Sequence, residues 1–171
     1  MTTSESFVCP QCGKTHEGLP TDWGFKKPDE IHALTYLEQY QSVRINDDLA
    51  TLKESRHFLR GVLELTFTHQ DGYFGWGIWV EVSKKHHDLY VKNFYNEASN
   101  VPRFKGSIAN ELSGYSSTVG LEVEVQLGNT KQRPTFFLLA KSSHLLAQDQ
   151  RQGIGSSRHH QLLEACGHFN E

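Results

Sequence analysis

Several things are scarce in this chain, and each scarcity removes a class of function. Three cysteines in 171 residues are too few for a disulfide framework. No apolar run approaches the roughly 18 residues of a membrane span, so no membrane role is expected. The opening Met1-Thr2-Thr3-Ser4-Glu5-Ser6 has neither a basic region nor an apolar stretch, so a secretory signal is not expected and the expected compartment is the cytoplasm. Positive charge is not in excess: 17 Lys and Arg stand against 20 Asp and Glu, a formal charge of −3, which disfavours nucleic acid as a partner. A local basic face would need Lys14, Lys26, Lys27 and Arg56 to come together. No Walker loop, dinucleotide fingerprint or kinase set occurs, and Ser116-Ser117-Thr118 reads as a loop because no G-x-S-x-G elbow surrounds it.

What is present begins with Cys9-Pro10-Gln11-Cys12-Gly13, followed four positions after Cys12 by His16. Paired thiolates turned by Pro and Gly are the usual half of a zinc knuckle, so Cys9, Cys12 and His16 are candidate ligands of a structural zinc. Zinc takes four ligands in such a site, and His32, His144, Cys166 and His168 are candidates for the fourth. A metal-free knuckle and a redox pair are the alternatives; the redox reading lacks the strand of a thioredoxin-like unit before Cys9.

The chain reads as a knuckle-like element over 1–28 and a single α+β domain over 29–171, one compact unit overall. Asp29 to Gln41 is expected to be helical, with Ile31, Leu34, Leu37 and Tyr40 at helical spacing. Asn46-Asp47-Asp48 marks a turn. From His57 to Thr68 the period changes to two, with Leu59, Gly61, Leu63, Leu65 and Phe67 alternating with Arg60, Val62 and Glu64. Asp71-Gly72 turns this strand into a second, Tyr73 to Ser83. That strand carries Phe74, Trp76, Ile78, Val80 and Val82 on one face and Gly75, Gly77, Trp79 and Glu81 on the other. Glycines at alternate positions leave a flat place that another backbone or ring can approach closely. Trp79 beside them reads as core, with an interface anchor as the alternative.

Ser83 caps an expected helix to about Glu97, with Tyr90, Val91, Phe94 and Tyr95 inward. Leu121 to Leu127 and Pro134 to Leu139 form an expected second hairpin. One or two helices follow between Leu145 and Phe169, interrupted at Gly153-Ile154-Gly155. The expected fold is therefore α+β, an antiparallel sheet of two hairpins packed with helices.

His144, Gln150 and Arg151 lie in the densest polar cluster and are the candidate catalytic residues, His144 as general base or ligand; a helix cap is the alternative for His144. His160, Glu164 and His168 at i, i+4 and i+8 resemble a metal-binding face, or are simply solvated.

The order of motifs resembles the bacterial family called domain of unknown function 2199. The carriers are Cys9-x-x-Cys12-Gly13-x-x-His16-x-x-Leu19-Pro20, Phe58-Leu59-Arg60-Gly61-Val62-Leu63-Glu64, Phe74-Gly75-Trp76-Gly77-Ile78-Trp79-Val80, Gly114-Tyr115, Arg133-Pro134-Thr135 and His144-x-Leu146-Ala147-x-x-Gln150-x-x-Gly153-Ile154. The chain departs from the family pattern at Ala50, where members often carry Cys, and at Leu145, where they carry Pro. The resemblance implies no activity. The expectation is a small bacterial protein-binding module, for example a toxin-neutralising immunity protein, with a structural zinc-type site. The alternative is a hydrolytic or metal-assisted enzyme whose pocket joins His144 to Arg60, Trp76 or Trp79.

Overall fold

A computed structural model describes the backbone of residues 6–8 and 15–17, and residues 19–130 and 132–168 in full. The alternation read from the sequence produces two long strands, β6 (Arg56–Thr66) and β7 (Tyr73–Val82), paired antiparallel along their whole length. Shorter strands precede them: β1 (Ser6–Val8) and β2 (Thr15–Glu17) pair with each other, while β3 (Asp22–Gly24), β4 (Val43–Ile45) and β5 (Leu49–Leu52) join the main sheet. After them come β8 (Phe104–Ile108), β9 (Glu122–Gln126) and β10 (Thr135–Leu138).

The sheet is mixed, not purely antiparallel. Strands β6-β7-β8-β9-β10 close on themselves because β10 pairs with β6 in parallel, Thr135 with Val62 and Phe136 with Leu63. A second parallel pair sets β3 beside the first half of β7. Both expected hairpins are present, and what changes is that they are rolled into a five-stranded barrel. Closure needs a close approach at Gly61, where a Cβ would lie 2.4 Å from the Pro134 oxygen and 2.6 Å from the Phe136 ring.

Inside the barrel Leu59, Leu63, Leu65, Phe74, Trp76, Ile78, Val123, Val125 and Phe136 are buried. Each such side chain contributes about 1.5–3 kcal/mol by leaving water. The outer face of β6 and β7 carries a second, smaller cluster of Ile31, Ala50, Leu52, Phe58 and Trp79. Ile31 comes from α1 (Asp29–His32), placed by its own first residue: the Asp29 carboxylate accepts from Asn110 Nδ2 at 2.9 Å and from the Glu111 N–H at 2.7 Å. The Asn110 Oδ1 in turn accepts the Trp79 N–H at 2.8 Å, filling the gap on β7 between the end of β3 and the end of β8.

The single helix expected over Asp29 to Gln41 is two. Thr35 accepts the Glu38 N–H at 3.2 Å and starts α2 (Tyr36–Ser42) afresh. Of the expected stripe, Ile31 is buried, but Leu37 is 61% and Tyr40 80% exposed, with Tyr36 at 87%. Helix α3 (Lys84–Asn93) is capped by Ser83 as expected, though only Tyr90 of its stripe is buried and Val91 and Tyr95 are exposed. The chain ends in α4 (Leu145–Gln152) and α5 (Ser156–Ala165), parted at Gly153-Ile154-Gly155. No helix among the described residues is long and apolar enough to cross a membrane.

Candidate functional site

The candidate catalytic residues near the C-terminus all make hydrogen bonds to the main chain. His144 is the N-cap of α4: its Nδ1 accepts the Leu146 N–H at 3.0 Å, and its Nε2 donates to the Ser116 oxygen at 2.5 Å. Both ring nitrogens are engaged. Gln150 ties α4 to two strands, accepting the Leu138 N–H at 2.7 Å and donating to the Phe136 oxygen of β10 at 3.0 Å and to the Glu64 oxygen of β6 at 3.5 Å. Arg151 holds the Ala140 and Ser142 oxygens at 3.3 and 2.9 Å. Gly153, at φ 82°, lets the next residue extend the sheet, so that Ile154 exchanges hydrogen bonds with Thr66 and Thr68. The whole motif from His144 to Ile154 fastens two helices to the barrel.

Other expectations fare as follows. Cys9 and Cys12 lie outside the described residues, as does the side chain of His16. Cys166 is half-buried, and burial pushes its thiol up to about 11. His160 and Glu164 do meet at i, i+4, with Nδ1 3.9 Å from Oε2, but α5 ends before His168, which does not join them on the helix. Ala50 packs beside Ile31, Phe58 and Trp79. No three His, Cys, Asp or Glu side chains among the described residues are placed to share a metal. Arg56 is committed to Glu30 and Glu81, and Lys27 donates to Gln39 at 2.6 Å, so neither is available to a basic face with Lys26.

What the fold does assemble is a groove of about 570 Å³ on the outer face of β3, β6 and β7. Its floor is the glycine face of β7. Register places Gly24 and Val62 on either side of Gly77, and Asp22 beside Gly75. Arg60 lies one step further along β6, opposite Trp79, with its guanidinium carbon 5.8 Å from the indole centroid. Gly24 lies beside it: a Cβ there would be in ordinary contact with Arg60 Nη2, at 3.8 Å. Arg133 enters from the segment before β10, fixed because the Pro134 oxygen accepts the Val62 N–H at 2.9 Å. Asp22 and Asp71 also line the groove.

The two arginines share a poor set of acceptors. Arg133 Nε donates to Asp48 Oδ1 at 3.2 Å, and Arg133 Nη2 and Arg60 Nη1 each reach the Asp47 main-chain oxygen at 3.4 Å. Arg60 forms no ion pair within 4 Å among the described residues, and its Nε is buried with no hydrogen-bond partner. Burial, then the Arg133 cation, pulls the Arg60 guanidinium below the usual arginine range; Asp47 and Asp48 oppose this. Tyr90, only 3% exposed, also has an unpartnered hydroxyl. Burial pushes its phenol up to about 12; Asp48 adds to the rise and Arg133 opposes it. Trp76 Nε1, inside the barrel, is a further unpartnered atom. Arg60, the glycines and Trp79 were legible as an unusual strand face. Arg133 and the Asp47 main-chain oxygen are brought to it by the fold, with no signal in the sequence to join them.

Fold and groove together define an α+β protein on a closed mixed barrel, with an arginine-bearing groove on its outer wall. Residues 8–154 match DUF2199, described as an uncharacterized protein conserved in bacteria, and the chain belongs to that family. No curated protein and no solved structure matches it.

Proposed function

We propose that the protein is a binding module for another protein, and that the groove of β3, β6 and β7 is its recognition surface. The observation that carries this reading is Arg60: a partly buried cation over the Trp79 ring, whose buried Nε has no partner and which makes one long hydrogen bond among the described residues. The groove floor has no side chains to move aside. Arg stacked on an aromatic ring at a concave site is the composition of an interface hot spot. Exposed Tyr36 and Tyr40 on α2, a helix with no buried residue, fit a protein-sized partner. A toxin-neutralising immunity protein is one form such a module takes, since it needs only a complementary surface. The enzymatic alternative is less favoured, since His144 spends both ring nitrogens on main-chain hydrogen bonds.

Affinity capture from a lysate of the encoding bacterium tests the reading. The wild type is compared with Val62→Glu, which puts a charged side chain on the groove wall at an outward-facing strand position. The expected result is a protein retained at stoichiometric amount by the wild type and lost with Val62→Glu. Equal retention by both, or no retained protein, overturns it.

A further inference from the structure

The binding reading leaves open what the partner presents to the groove. We propose that the Arg60–Arg133 end is a carboxylate-binding site, filled by a Glu or Asp side chain of the partner protein; this rests on the groove being the recognition surface.

The geometry argues it in three steps. First, both guanidinium groups converge on a single acceptor, the Asp47 main-chain oxygen, so one bridging group reaches both forks. Second, each fork is held in place before any ligand arrives. Arg60 is laid on the Trp79 ring and Arg133 is anchored by Asp48, with side chains 41% and 28% exposed for Arg133 and Asp48. A planar guanidinium fixed in orientation gives up little freedom when it binds a planar, two-oxygen partner. Third, the site's own carboxylates do not satisfy Arg60. Asp48 is taken by Arg133, and Asp47 offers only its main chain. An arginine kept solely for structure would gain by turning to either neighbour.

The same acids set the charge of the ligand. Asp47 and Asp48 flank the arginines, and Asp22 and Asp71 line the rest of the groove. A doubly charged phosphate meets four carboxylates within this neighbourhood, whereas a carboxylate brings one negative charge and two coplanar acceptors. The acidic stretch of the groove then repels any second negative group on the ligand, so an isolated acidic residue flanked by neutral ones fits best.

The test uses the full chain labelled with nitrogen-15 and follows the Nε–H signals of Arg60 and Arg133. It is titrated at constant ionic strength with N-acetyl-Gly-Glu-Gly-amide, with the Gln analogue, and with inorganic phosphate. The expected result is a saturable shift with the Glu peptide and at least tenfold weaker responses to the Gln peptide and to phosphate. Arg133→Gln, at an exposed position, is expected to weaken the Glu peptide at least tenfold while other signals stay in place. Equal responses to the Glu and Gln peptides, or tighter binding of phosphate, overturn the site. The two failures are distinct: capture lost with Val62→Glu but no Glu preference sinks the carboxylate site alone. Glu preference with capture unaffected by Val62→Glu sinks the recognition reading alone.

Discussion

His159 donates its Nε2–H to the main-chain oxygen of Pro20 at 2.7 Å, joining α5 to the segment that leads into β3. The ring is 2% exposed and lies 4.7 Å from the Phe67 ring and 5.6 Å from that of Phe74. Burial holds its affinity for a second proton below that of an ordinary imidazole, although the bond to Pro20 works the other way. His57 is lowered too, by burial and then by His87, with Asp88 opposing.

Stability should therefore depend on pH in one direction. As pH falls, the unfolded chain takes up protons first, near 6.5, while folded His159 and His57 resist. The stabilisation is fully present above about pH 6.5 and is lost as pH drops toward the lower folded values. Thermal unfolding midpoints followed from about pH 8 to about pH 5 should decline on the acid side, and His159→Gln should flatten that decline. A midpoint that rises on acidification contradicts the assignment.

The strand-bridging role of Gln150 predicts a large effect from a small change. Gln150→Ala leaves the Leu138 N–H and the Phe136 oxygen without the partners they have at 2.7 and 3.0 Å. Urea unfolding should show a loss of about 2–3 kcal/mol. A loss near zero would mean these groups find other partners.

Two glycines of the same barrel should respond oppositely. Gly61→Ala drives a methyl into the Pro134 oxygen at 2.4 Å, opening the β6–β10 seam, and should cost about 1–3 kcal/mol or more. At Gly75 a Cβ meets only Val62 at 3.4 Å and Tyr73 at 3.5 Å, and Gly75→Ala should change stability by no more than about 0.5 kcal/mol. Paired denaturation curves decide it.

His144→Ala should behave as the loss of a cap. It should lower stability by about 1–2 kcal/mol and leave groove-dependent capture unchanged. Loss of capture with full stability would return His144 to a functional role.

Metal analysis addresses the thiolates independently of the groove. One equivalent of zinc, absent in Cys9→Ser, is the expected outcome; a zinc-free wild type removes the half-site.

The two long strands were readable because ten or eleven residues of alternation suffice to reveal a period, and the Asp-Gly turn between them fixes register. β4 and β5 were not, since three or four residues cannot display one, although Asn46 does cap their turn through Asp48 and Leu49 at 2.8 Å. β8 went unread because Phe104 to Ile108 is built around Gly106 and carries Lys105 and Ser107 outward. α2 misled because Leu37 and Tyr40 have the spacing of a core stripe but face solvent, a helical period being the same whichever way it points. Of the groove, Arg60, Trp79 and the glycines share two neighbouring strands and could be seen together. Arg133 and Asp47 meet them only because β10 returns to β6 and the β4–β5 turn folds over it, pairings between distant segments that leave no local trace.

The parallel seam between β10 and β6, only two residue pairs long, makes the order of assembly legible as well. The β6–β7 hairpin is local and should form early, whereas the seam joins segments about seventy positions apart and should close later. Gln150 is in place only after α4 has docked, so it acts late. Its removal should leave the refolding rate nearly unchanged and quicken unfolding, making this single carboxamide a determinant of how long the barrel stays shut.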